Sequence, residues 1–236
     1  MNRIQRLAAS AVAATIALGT LGLTASAATA APSQDALGVA KHTVETKIDA
    51  RLAQLAQLQH QVDASKNLTD GDRSALGTIL ADEVTGLTAL RSKVDRETTT
   101  AAVAADARSM IDDYRVYVVV TPQVHLTIAT DVGEHAVEVA NDVIAPKLDA
   151  AIAQAKANGK DVTNAQADDD AFKAAVTAAA ADLDGQSATL LAQVPHGYPA
   201  NHQTFLDARA KIADARAKLA EARADAHDVV ADLEAA

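Results

Sequence analysis

The chain has 236 residues, a formal net charge of −10 and neither cysteine nor tryptophan; about a quarter of it is alanine and only 2% is aromatic. Without cysteine there is no disulfide framework and no thiol chemistry, and a surface this acidic repels nucleic acid and anionic lipid, so neither is an expected partner. Alanine with only 10 Gly and 5 Pro favours long helices.

The first residues, MNRIQRLAASAVAATIALGTLGLTASAATAAPSQ, have the form of an export leader. Arg3 and Arg6 precede an apolar run over residues 7–23, and Ala25-Ser26-Ala27 and Ala28-Thr29-Ala30 are small-x-small cleavage patterns. Residues 1–30 are expected to be a signal peptide cut after Ala30. The run is short and alanine-rich for a membrane span, a retained anchor being the alternative, and the mature chain has no later apolar stretch of about 18 residues. The expected setting is secreted, extracellular or associated with the cell envelope.

From residue 33 to 66, Leu37, Val44, Ile48, Leu52, Leu55, Leu58 and Val62 recur at threes and fours, one face of a helix. Asn67-Leu68-Thr69-Asp70 interrupts it. Thr69 is placed to cap the next helix, with Asp72 three residues on, and this reading is preferred to the glycosylation pattern that Asn67-Leu68-Thr69 also matches. Leu76, Ile79, Leu80, Val84, Leu87, Leu90 and Val94 form the second stripe, and 97–100 end it and offer another cap. The two runs read as an αα-hairpin.

Residues 114–131, YRVYVVVTPQVHLTIATD, fit both periods. Val116, Val118, Val120, Val124, Leu126 and Ile128 alternate as in a hairpin, while Met110, Tyr114, Tyr117, Val124, Ile128, Val132, Ala136, Val139 and Val143 follow a helix. Helix is preferred, because no third strand is found and no Gly marks a tight turn. Pro122 is expected to kink the helix, with Thr121 biased to extended backbone as its N-cap. Pro146 is expected to bend the next run. Asn158-Gly159 reads as a left-handed C-cap. Residues 161–170 read as an acidic loop whose Asp168, Asp169 and Asp170 favour the next helix N-terminus, with Gly185 a weak point within that helix and 194–201 a connecting loop. The last helix carries a heptad: Phe205, Ile212, Leu219, Ala226 and Leu233, with Ala208, Ala215, Ala222 and Val229 at the second seam position. Arg209, Arg216, Arg223, Lys211 and Lys218 flank this seam and suit the acids of the preceding helix, solvated charges being the alternative.

The blocks ATAAPS, LTDGDRSALGTILADEVTGLTALRSKVD and DYRVYVVVTPQVHLTIATD resemble uncharacterised, alanine-rich, secreted helical proteins of high-GC actinobacteria over residues 36–143. The resemblance implies export and an elongated helical body. It brings no activity and no functional residues.

The fold expected is an all-α, elongated antiparallel bundle of five to six long helices with coiled-coil-like seams. Residues 31–160 would form the bundle, kinked near Pro122 and Pro146. Residues 161–236 would form a C-terminal αα-hairpin packed on it or extending it. No catalytic, phosphate-loop or metalloprotease motif is present, Glu-x-x-His spacing is missing, and Ala75 and Ala81 stand where a calcium loop needs Gly and Glu. No cofactor is expected. Tyr114, Arg115, Tyr117 and His125 are candidates to line a small cleft near Pro122, the tyrosines reading alternatively as core. Asp131, Glu134, His135 and Glu138, with Asp142, could offer a divalent cation carboxylates and an imidazole along one helix, or simply be a solvated face opposite Val132, Val139 and Val143. The leading expectation for function is an exported non-enzymatic scaffold that presents helix faces to another protein. The alternative is a helical-bundle binder of an apolar small molecule or divalent cation.

Overall fold

A computed structural model describes residues 34–236, so the leader and its cleavage site lie outside the described residues. The described residues belong to one compact unit. The helices are α1 (Gln34–Ala64), α2 (Asp70–Arg96), α3 (Thr100–Asp112), α4 (Thr121–Val139), α5 (Ala145–Ala157), α6 (Thr163–Leu183), α7 (Gln186–Leu191) and α8 (His202–Ala235). No strand occurs among the described residues, and the chain is an all-α bundle.

The expected caps form. Thr69 Oγ1 accepts from Asp72 N at 3.1 Å, and Thr99 Oγ1 from Ala102 N at 3.2 Å. Arg73, one turn into α2, donates to the carbonyls of Val62 and Ser65 and so receives the orphan C-terminal carbonyls of α1. Gly159, at φ +78°, ends α5 in a Schellman turn: Lys160 N bonds Ala155 O and Gly159 N bonds Lys156 O. Two expectations need correction. α6 already begins at Thr163, whose N–H and hydroxyl both donate to Asp161, so Asp168–Asp170 sit beyond its first turn. Gly185, at φ +68°, does not weaken a helix from within but separates α6 from α7.

The 114–131 stretch is helical, though not as a simple kinked rod. α3 ends at Asp112, and Arg115 turns the chain in left-handed backbone (φ 30°, ψ 40°). A π-helical turn then runs Val116–Val120 and passes directly into α4. Thr121 is not extended but helical (φ −61°, ψ −53°), and its N–H bonds Val116 O, five residues back. Pro122 follows at once. The arrangement repeats at Pro146, where Ala140–Ile144 is a π-turn and Ala145 N bonds Ala140 O. In an α-helix a proline removes one donor and its ring meets the carbonyl four residues back. A turn widened by one residue makes room for the ring, so the helix continues.

α4 does not bury Val132, which is 41% exposed, and Val143, in the second π-turn, is 44% exposed. α4 buries Gln123, Val124, Thr127, Thr130, Asp131 and Gly133. α4 packs on α1, α6, α7 and α8 and joins two sides of the core. On one side α1–α3 enclose Ile48, Leu55, Leu58, Leu76, Leu80, Leu87 and Met110. On the other, α6 and α8 run together along an alanine-rich seam of Ala165, Ala179, Ala208, Ala215 and Ala222, the heptad face expected from sequence. Lys218 bridges from this seam to Asp182 at 2.6 Å.

Two glycines of α2 test this packing. A Cβ on Gly86 would lie 2.4 Å from Tyr114 Cε1, whereas Gly77 has nothing within 4 Å. Gly86→Ala is expected to lower the urea-unfolding free energy by about 1–3 kcal/mol through overpacking, and Gly77→Ala to raise it by about 0.5–1 kcal/mol. Equal effects of the two would contradict the close approach of Tyr114 to α2.

Candidate functional site

The π-turn before Pro122 and the start of α8 face one another across a cleft of about 520 Å³. One wall comes from the first stretch: Tyr117, Val118, Thr121, Pro122, His125 and Leu126. The other comes from the loop before α8 and its first two turns: Tyr198, His202, Phe205, Leu206 and Arg209. The chain has two Phe, three Tyr and no Trp, and Tyr117, Tyr198 and Phe205 all line this cleft.

Local folding explains each wall. The left-handed turn at Arg115 and the π-turn after it leave Val116, Val119 and Val120 buried and turn Tyr117 and Val118 outward. The second wall hangs from a 3₁₀ turn at Pro195–Gly197 and a cis peptide at Tyr198–Pro199. Asn201 steadies this loop, its side-chain amide donating to Val194 O at 3.0 Å. Both tyrosines carry a guanidinium over the ring: Arg51 lies 5.2 Å from the Tyr117 centroid and Arg115 4.9 Å from that of Tyr198. Arg115 also donates to Asp112 at 2.9 Å. His125 Nε2 pairs with Gln61 Oε1 at 2.9 Å, and the His202 ring meets Tyr198 edge-on at 6.0 Å. Thr121 Oγ1 is buried without a hydrogen-bond partner.

Of the four residues expected near Pro122, Tyr117 and His125 line the cleft, and Arg115 supports it through Tyr198. Tyr114 does not take part; it packs against the α1–α3 core, with burial pushing its phenol above its ordinary pKa, helped by Asp113 and Glu83. The second wall went unseen in sequence. Residues 194–201 read only as a connection, and His202 and Arg209 lie more than 70 positions from His125. The one available signal was the presence of scarce aromatics, Tyr198 and Phe205, at the head of a heptad helix.

The acidic run of α4 is not brought together as a cation site. His135 and Glu138 pair on the surface at 3.3 Å, and Glu134 is exposed. Among the described residues no group of three or more His, Asp or Glu is arranged to hold a metal ion. Asp131 is not on a solvated face either: it is 1% exposed. Its carboxylate accepts from Thr69 N at 2.8 Å and from Ser187 Oγ at 2.9 Å, tying α4 to the N-terminus of α2 and to α7. Burial raises its pKa against the pull of these two donors, and nearby Asp72 raises it further. Glu134 is raised by desolvation and then by Asp131.

Comparison with protein-family models, curated proteins and solved structures finds no match.

One buried acid is left without compensation. Glu83, 8% exposed on the inner face of α2, has an oxygen without a partner, and burial pushes its pKa to about 8, with Asp82 adding to the shift. An acid that holds its proton more tightly when folded favours the fold below its unfolded pKa, and that advantage is lost as pH rises toward the folded value. Stability is therefore expected to fall between about pH 4.5 and pH 8, with a contribution from this group of at most about 1.4 kcal/mol per pH unit. Glu83→Gln should flatten that slope and stabilise the protein at pH 8. Urea unfolding across this range checks it; an unchanged slope in the variant would contradict the assignment.

Proposed function

We propose that this protein is a helical-bundle binding protein that holds a small, largely apolar molecule in the cleft between the Pro122 turn and the head of α8. The observation that carries this reading is the gathering of three of the chain's few aromatic side chains around one cavity. A core built from Ala, Val, Leu and Ile has no packing need for such a cluster at a surface opening, since Tyr117 is 48% exposed and Leu206 44%. The volume lies within the usual range of about 300–1,000 Å³ for small-molecule sites, and apolar walls with a few polar tips are their common form. The role is binding rather than catalysis. The leader pattern of residues 1–30 supports an exported setting, in the medium or at the cell envelope.

A second reading, the scaffold favoured by sequence, draws on a groove of about 700 Å³ between α4–α5 and α8. Ile144 and Val230 are exposed on it. An envelope pull-down returning one stoichiometric protein, lost on Val230→Asp, would put this reading first.

Nile red, a neutral apolar dye, tests the cleft. The purified protein is expected to bind it saturably at one site with a gain in fluorescence, and Leu206→Trp, which fills the opening from an exposed rim position, should abolish that site. Titration curves that coincide for the two proteins would contradict the proposal.

A further inference from the structure

We infer that the cleft selects an anion, a planar aromatic body carrying one carboxylate, with the charged end at Arg209. The inference rests on the binding role proposed above and adds the chemical class of the ligand. The chain carries 31 Asp and Glu against 21 Lys and Arg, yet none of the residues lining the cleft is acidic. Its charged or chargeable tips are Arg209, His125 and His202. The guanidiniums of Arg51 and Arg115 stack on Tyr117 and Tyr198 and add positive charge next to the lining, that of Arg115 being shared with Asp112. In a protein with this net charge, a cleft whose lining holds an arginine and no carboxylate favours ligands of the opposite sign.

Arg209 is the group placed to meet the charge. It is exposed on α8, one turn beyond Phe205 and Leu206, and makes no ion pair among the described residues. A guanidinium presents a planar fork of donors that matches a carboxylate bidentately. The body of the ligand follows from the walls. Tyr117, Tyr198 and Phe205 line the cleft with aromatic rings, and Pro122 and Leu126 add apolar surface.

The test uses two probes of one shape, 2-naphthoate and neutral 2-naphthamide, titrated calorimetrically into the purified protein at pH 7 and low salt. Naphthoate is expected to bind about tenfold more tightly, as for a partly exposed charge-assisted contact. Arg209→Gln should bring the two affinities together, while Arg216→Gln, one heptad further along the same helix, should keep the preference. Leu206→Trp should abolish the binding of both probes. Equal affinities in the unmodified protein, with Leu206→Trp still abolishing binding, would overturn the anion preference and leave the binding role intact. A preference that survives in Arg209→Gln would overturn the assignment to Arg209. Failure of both probes and of Nile red to bind would overturn the cleft reading and this inference together.

Discussion

A proline cannot donate a backbone hydrogen bond, and in an α-helix its ring collides with the preceding turn. This chain places two prolines in its central helical run and keeps the run helical through both. In each case the residue before the proline closes a five-residue turn, Thr121 onto Val116 and Ala145 onto Ala140. The widened turn absorbs the ring and inserts one residue into the helical phase.

The face thus turned inward is polar where a simple amphipathic stripe would be aliphatic. Gln123 donates to the carbonyls of Leu190, Leu191 and Gln193 and so closes the open end of α7. Asp131 does the complementary task, accepting from the backbone of Thr69 at the start of α2 and from Ser187 at the start of α7. Backbone groups at two helix ends are therefore satisfied by two side chains of α4, and the Ser187 hydroxyl ties α7 to the same helix. Gly133 lets α6 come close, since a Cβ there would stand 2.8 Å from Leu183 Cδ1. The arrangement has a cost: Gln123 Oε1 and Thr127 Oγ1 are buried without partners. Such polar contacts fix which helix ends meet, a specificity that alanine-rich seams, similar along their whole length, supply poorly.

Much of the fold was legible in sequence because its signals are local. Thr69, Thr99 and Gly159 each act within one turn, and the α8 heptad repeats for the length of a helix that packs along α6. The phase of α4 was not legible. Val132, Val139 and Val143 are spaced for burial, but steps of four drift by about 40° each around an α-helix, so Val132 turns away from buried Val124 while Asp131, seven residues on, comes back to the same face. The same geometry puts Asp131 in the interior and not on a solvent face. Gly185 was misplaced because a glycine inside an alanine-rich run looks the same whether it weakens a helix or ends it. Of the cleft, the wall beside Pro122 was legible through Tyr117 and His125. The wall from α8 was not, because its approach depends on how α8 packs on α4, a contact between distant parts of the chain.

The cleft is a by-product of the same constraint. The π-turn carries Tyr117 and Val118 out of the core just where the head of α8 crosses α4, and the resulting opening is lined by aromatics in a protein otherwise nearly without them. Backbone carbon chemical shifts and amide contacts measured by NMR across residues 114–131 test this most directly. Helical shifts running without a break from Val116 through Thr121 into α4, with sequential amide contacts up to Thr121 and a protected Thr121 amide, are the outcome this account requires. Extended shifts at Thr121, or contacts pairing 116–120 with 124–128 across a turn, would contradict it.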